Sequence, residues 1–219
     1  MAEYLTRNAD SCVPCTGAFQ VALGDYCLVF PAMPTDLQHL LAMELCAKFT
    51  PPQGRARNIA LTLFRAVAQL HDAAVIHFDV KPSHVLVDIE STSSELRALK
   101  LCDWSFARFS KAFPLVNADT AFCGGDLNFR PLEALLHSEI LDCRVDVWAA
   151  ACTAYQVAAG TSKPIFGGVD EEEVMLQIFS HLGDPSRDEM TFFKMLPKGR
   201  FLDEFFTELR LDEFSSRVL

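Results

Sequence analysis

Val147 to Ala159 is apolar except for Thr153 and Gln156. Read as a helix beginning near Asp146, this stretch is apolar almost all round, and such a helix is stable only at the centre of a domain. It falls short of the roughly 18 to 20 residues that a bilayer crossing needs, so no membrane span is predicted. A second helix is predicted from Gln53 to His71. There Ala56, Ile59, Ala60, Leu63, Val67 and Leu70 recur every three or four residues and share one face. The two segments predict a helical core, 53–71 against 142–159. Hydrophobic residues make up 50 % of the 219, which excludes a disordered polyelectrolyte and suits one large domain.

Residues 1–20 read as polar and turn-rich. Gln20 to Leu23 and Tyr26 to Phe30, around Gly24-Asp25, predict a hairpin, which Pro31 and Pro34 then end. Thr35 or Asp36 is placed to cap a short helix through Leu45, and Pro51-Pro52 makes a rigid turn before the long helix. Val85 to Val87 and Leu99 to Cys102 predict two strands joined by a polar surface loop, Ser91 to Glu95.

Nineteen basic against 29 acidic residues give a net charge of −10, which argues against binding a nucleic-acid backbone. Over residues 165–219 there are 12 acidic and 6 basic side chains, predicting a solvated acidic surface. The first residues lack the basic-then-apolar order of a secretory signal, and the eight cysteines are scattered, several inside apolar segments. Both features predict an intracellular protein, cytoplasmic or nuclear or both. Cys12-Val13-Pro14-Cys15 is a lone pair, read as an ordinary loop rather than a zinc site.

The chemistry concentrates in Ile76 to Asp88, where Asp79, Lys81 and His84 precede a predicted strand. A carboxylate there can orient a hydroxyl or accept its proton, and the ammonium two residues on can neutralise a phosphoryl oxygen. Leu101-Cys102-Asp103-Trp104 follows the next strand. Phe129-Arg130-Pro131-Leu132-Glu133 and then Asp146-Val147-Trp148 come after it.

This succession resembles the carboxyl-terminal lobe of the eukaryotic protein kinase family, with its catalytic loop, metal-binding segment, Pro-Glu segment and Asp-x-Trp helix in that order. The resemblance extends over roughly residues 20–219. Leu28 to Leu37 is similar to a kinase fifth strand and hinge. Pro164 to Gly168 and Gln177 to Pro185 resemble the group of cyclin-dependent, dual-specificity and CLK-like kinases. It implies an α+β fold: residues 1–34 as the remnant of an amino-terminal β lobe and hinge, and 35–219 as a mainly helical carboxyl-terminal lobe without its last helices.

By the same resemblance Asp79 is the catalytic base and Lys81 contacts the transferred phosphoryl group. Asp103 is the principal magnesium ligand, and His84 stands where the family has a magnesium-binding Asn. Phe30 is the gatekeeper, Pro31 and Met33 meet the adenine edge, Leu86 lies under its ring, and Asp36 reaches the ribose. The implied cofactors are ATP and Mg2+. Glu133 and Asp146 are structural, the first paired with a late Arg and the second bracing the catalytic loop.

Several positions depart from that pattern. The sequence contains no glycine-rich phosphate cradle and no Val-Ala-Ile-Lys strand. Phe78 replaces the Arg that reads a phosphorylated activation segment, weakening any control through Thr120. Ser105 replaces a Gly, and His84 brings imidazole to a cation that prefers oxygen. Asp126 stands where the family has a Thr, and its carboxylate could draw Lys81 into a fixed ion pair. The expectation is a kinase-like binding or regulatory protein with negligible phosphoryl transfer, acting on or with a protein partner. The alternative is an active serine/threonine kinase represented by an incomplete sequence. Uncovered apolar surface on the hinge side predicts marginal stability or a partner that covers it. A cyclin partner is not inferable, because the cyclin-contacting helix is not present.

Overall fold

The structure, a computed structural model, describes residues 1–22, 24–49, 52, 54–90, 93–110, 124–199 and 202. Leu23 of the predicted hairpin, Pro51, Gln53, Ser91 and Thr92 of the polar loop, Thr120, and the acidic tail from residue 203 lie outside the described residues.

The long helix α3 runs Arg55–Asp72, with Ile59, Leu63, Ala66, Val67 and Leu70 buried along one stripe as the periodicity predicts. It packs along α5, Arg144–Ala159, which follows the one-turn helix α4, Leu132–Leu135, and ends where Gly160 adopts φ 63°. That left-handed conformation at a helix C-terminus favours glycine. Asp36 rather than Thr35 caps α2, Leu37–Cys46, its carboxylate accepting from the His39 N–H at 2.8 Å.

Three antiparallel strands lie above the helices in the order β3 (Thr35–Asp36), β5 (Val85–Ile89), β6 (Leu96–Leu101). Asp36 pairs with Leu86, and Val85 with Leu101. Two further strands, β4 (Val75–Ile76) and β7 (Arg108–Phe109), form a short pair between α3 and the segments that follow. The hairpin is β1 (Gly17–Ala22) against β2 (Asp25–Val29), in the register Gln20 to Tyr26. Its apolar side chains stand in solvent: Phe19, Val21, Leu28 and Val29 are exposed, and Tyr26 is 69 % exposed. The expected uncovered apolar surface is therefore on this hairpin.

Two expectations need correction. Residues 1–20 are not simply turns, because Ala2–Asn8 forms a helix, α1. Leu5 is fully buried, the Tyr4 hydroxyl donates to the Ala73 carbonyl at 3.1 Å, and the Tyr4 ring meets Phe109 edge-on at 5.0 Å. Ser11 to Val13 then runs beside β6, exchanging two backbone hydrogen bonds with Leu101 at 2.8 and 2.9 Å. Burial pushes the Cys12 thiol up to about 12, so it stays neutral at ordinary pH. The second correction concerns α5. It is central, but Val147, Ala151, Tyr155 and Ala158 form an exposed stripe, since α3 covers only the opposite side.

Part of the acidic surface also has structural work. Asp170 caps α6, Glu171–Leu182, and Glu171 in its first turn accepts from His137 at 2.9 Å and Lys198 at 2.5 Å. Ser186 and Glu189 form a reciprocal capping box on α7, Arg187–Lys194.

Leu70 is fully buried on α3, so Leu70→Ala is expected to lower unfolding free energy in urea by about 2–5 kcal/mol. Val147→Thr on the exposed stripe is expected to change it by no more than about 0.5 kcal/mol. Equal losses would contradict the packing described.

Candidate catalytic site

The segment between β4 and β5 is fastened from below by one carboxylate. Asp146, buried in the first turn of α5, accepts the backbone N–H groups of His77 and Phe78, both at 2.8 Å, and pairs with His71 Nε2 at 2.9 Å. Phe78 takes φ 65°, a left-handed conformation costly for a residue with a Cβ. The hydrogen bond from its N–H to Asp146 holds it there. Asp103 shows the same strain at φ 63°.

His77 lies wholly inside this arrangement. Its Nε2 faces the Cys102 carbonyl at 3.0 Å and its Nδ1 accepts from the Asp79 N–H at 3.3 Å. One tautomer, neutral with hydrogen on Nε2, satisfies both. Burial holds its pKa below the ordinary value, outweighing the opposing pull of Asp146 and the Cys102 carbonyl. His77 is thus a positioning residue between the loop and the end of β6.

Asp79 is only 4 % exposed. Its Oδ1 accepts the Asp126 N–H at 2.7 Å, while its Oδ2 meets Lys81 Nζ at 3.3 Å and His84 Nδ1 at 3.2 Å. Lys81 also reaches Asp126 Oδ2 at 3.5 Å, the ion pair that the Asp at that position suggested. The other nitrogen of His84, Nε2, faces Asp103 Oδ2 at 3.3 Å. Asp103 Oδ1 accepts from Ser105, from the N–H at 3.1 Å and the hydroxyl at 2.5 Å. Burial raises the Asp103 pKa, but the Ser105 hydrogen bonds and the neighbouring His84 imidazole hold it below the usual carboxylate value.

Asp79, Lys81, His84 and Asp103, distant along the chain, therefore converge, and Asp126 joins them. Gly125, which the sequence did not single out, is also required. At φ 81° a Cβ would come within 2.2 Å of the Phe78 carbonyl oxygen, so only glycine lets this segment close on the loop. His71 as a partner of Asp146 was likewise not anticipated. Asp36 and Leu86 are brought together across β3 and β5. Phe30 and Pro31 are exposed and Met33 is half-buried.

Mg2+ requires near-octahedral hard oxygen ligands. Here Asp103 Oδ1 is taken by Ser105, and His84 sits between Oδ2 of Asp79 and Oδ2 of Asp103 with a nitrogen toward each. Among the described residues no group of three or more His, Cys, Asp or Glu side chains is arranged to hold a metal ion. These residues do not fit Mg2+.

The protein kinase domain model matches residues 8–198. The chain belongs to the protein kinase family. Its relatives lie in the group of cyclin-dependent and mitogen-activated kinases. It is 31 % identical over 189 residues to the CTD kinase subunit alpha of Schizosaccharomyces pombe, covering 81 % of this chain and 30 % of that protein. It is 29 % identical over 170 residues to cyclin-dependent kinase 1 of Encephalitozoon cuniculi, covering 78 % of this chain and 54 % of the relative. Thus this protein kinase chain spans between 30 % and 54 % of the length of these two curated relatives. The crystal structure of the yeast RNA Pol II CTD kinase CTDK-1 complex superposes with a TM-score of 0.72 over 91 % of this chain and 62 % of that one. At 22 % identity this match shows the fold, a kinase-like α+β architecture. No helix among the described residues is long and apolar enough to cross a membrane.

His77 generates a pH prediction. A histidine whose folded pKa lies below its ordinary value of 6.5 contributes stability that is complete above that pH and is lost as pH falls through the lowered value. The urea midpoint is expected to fall on acidification below about pH 6.5. His77→Gln, which can still donate to the Cys102 carbonyl, should flatten that dependence. An unchanged slope in the variant would contradict the assignment.

Proposed function

We propose that this chain is a kinase-fold binding or regulatory module, a pseudokinase with negligible phosphoryl transfer. The observation that carries the reading is His84, whose Nδ1 faces the Asp79 carbonyl at 2.9 Å and Oδ2 at 3.2 Å while its Nε2 faces Asp103 Oδ2 at 3.3 Å, so nitrogen stands among groups where a hard cation needs oxygen. Lys81 is also shared between Asp79 and Asp126, which leaves its charge turned inward. Phosphoryl transfer depends on charges aimed at the phosphates, and the loss of one such donor costs about 10²- to 10³-fold. The exposed apolar side chains of the β1–β2 hairpin support a protein partner in preference to catalysis alone. In this reading residues 1–34 are part of the smaller lobe and hinge, and 35–219 the larger lobe.

A second reading has one observation in its favour. Asp79, Lys81 and Asp103 are all retained and meet in one place, as an active serine/threonine kinase would require. In that case Asp79 would take the hydroxyl proton, and ATP would lie along Phe30, Pro31, Met33, Asp36 and Leu86.

The test is nucleotide titration by calorimetry with and without MgCl2, together with His84→Asn. The pseudokinase reading expects no magnesium-dependent heat in the natural chain, and a metal-dependent signal only once the imidazole is replaced by an oxygen donor. Magnesium-dependent ATP binding with phosphorylation of a protein substrate by the natural chain would overturn it in favour of the second reading.

A further inference from the structure

The β1–β2 hairpin is composed like the middle of a sheet. Its side chains alternate between two faces, one bearing Phe19, Cys27 and Val29 and the other Ala18, Tyr26 and Leu28, and all six are exposed. A strand with one solvated face alternates apolar and polar residues, so apolar residues on both faces mark a strand composed for covering. Two strands alone are marginally stable in water, and a third is normally needed.

The two edges of the hairpin differ. On β1 the register shifts between Gln20 and Ala22, and Gln20 Nε2 donates to the Ala22 carbonyl at 3.0 Å, so this edge is bent and partly engaged. On β2 no strand pairs with the outer edge among the described residues. The sequence Asp25–Val29 holds neither Lys nor Pro, the residues that usually blunt an edge. The Val29 carbonyl turns to the β1 side, accepting from the Thr16 N–H at 2.8 Å. By antiparallel alternation Cys27 turns the same way, and the N–H and C=O groups of Tyr26 and Leu28 point out of the open edge.

We propose that this edge pairs with the same edge of a second copy of the chain, antiparallel about a two-fold axis at Cys27, to make a four-stranded sheet. The need for a partner rests on the reading of the chain as a protein-binding module, and the strand itself specifies which partner fits. A two-fold axis between antiparallel strands must pass through a residue and its own mate, because otherwise opposing side chains would fall on opposite faces. Centring on Cys27 uses all of β2, with Tyr26 opposite Leu28 and Asp25 opposite Val29 of the second copy. Centring on Tyr26 would draw in the Gly24 turn, and centring on Leu28 would bring Asp25 against Pro31. In the Cys27 register Tyr26 and Leu28 exchange N–H···O=C bonds across the axis, so their outward groups are all satisfied. Each Tyr26 ring also meets an aliphatic side chain, a favourable cross-strand pair. Asp25 is the only charge on either strand. In this register it lies about 13 Å from its mate by strand rise, beyond the screening length at physiological salt.

The experiment is sedimentation equilibrium of the full chain in reducing buffer without nucleotide. The mass is expected to climb from 24.4 kDa toward twice that value as concentration rises. Leu28→Lys should weaken association by about tenfold or more, because both symmetry-related pairs are lost. Adding Tyr26→Glu to that variant sets opposite charges across each pair and should recover most of the loss. Treatment with diamide should join the two copies through Cys27, since a non-hydrogen-bonded antiparallel pair holds its Cα atoms about 4.5 Å apart, within disulfide range. In that step the two thiols pass two electrons and two protons to the diamide. A chain still monomeric at concentrations on the order of 1 mM, association indifferent to Leu28→Lys, no recovery in the double variant, or cross-linking confined to cysteines other than Cys27 would each overturn the proposal. Phosphorylation of a protein substrate by the natural chain would overturn the pseudokinase reading, whereas the dimer is judged on the sedimentation and cross-linking results with no nucleotide present.

Discussion

A single carboxylate organises the centre of this molecule. Asp146 sits in the first turn of α5, where the helix N-terminus favours negative charge, and it is sealed from solvent. A buried carboxylate is costly unless its lone pairs are used, and here two backbone N–H groups and one imidazole use them. Those bonds fix His77 and Phe78 and permit the strained backbone of Phe78. They also set the direction in which Asp79 leaves the loop. Through α5 the same carboxylate ties this segment to the core formed with α3.

Above that anchor, charge is balanced within the chain. Two acids and an ammonium inherited with the family pattern are present, but the imidazole of His84 bridges the acids and Asp126 shares the ammonium. The contacts of Lys81 and His84 with Asp79 lower the cost of burying it, and the sharing of Lys81 with Asp126 reduces the field available to an external phosphate. Stability of the cluster and reactivity toward a triphosphate thus draw on the same side chains in opposite directions. The chain shares the kinase architecture of its relatives while its charges point at one another.

Much of this was legible in the sequence. The α3 stripe, an α2 cap at Thr35 or Asp36, β5 and β6 follow from spacing and local chemistry, and the order of the motifs implies that Asp79, Lys81 and Asp103 meet. The pairing of Lys81 with Asp126 was readable from a carboxylate in place of a hydroxyl. Other features were not. Helix α1 has only Ala2 and Leu5 facing inward, and it owes its place to contacts with Ala73 and Phe109, far along the chain. The open stripe of α5 depends on what packs beside it, and hydrophobicity alone cannot supply that. Gln156 read as a break in an apolar run, whereas its burial without a hydrogen-bond partner among the described residues is visible only in three dimensions. His84 was readable as a misfit for magnesium, but not as a bridge between two carboxylates.

The account depends most directly on Asp146 holding the loop, and amide hydrogen exchange at His77 and Phe78 tests that dependence. In the natural chain both amides should be protected nearly to the level of the α3 core. In Asp146→Asn the loss of charge-assisted hydrogen bonds should speed their exchange by about 10- to 100-fold relative to that core. Unchanged protection of the two amides in a folded Asp146→Asn chain would contradict the central place given to this carboxylate.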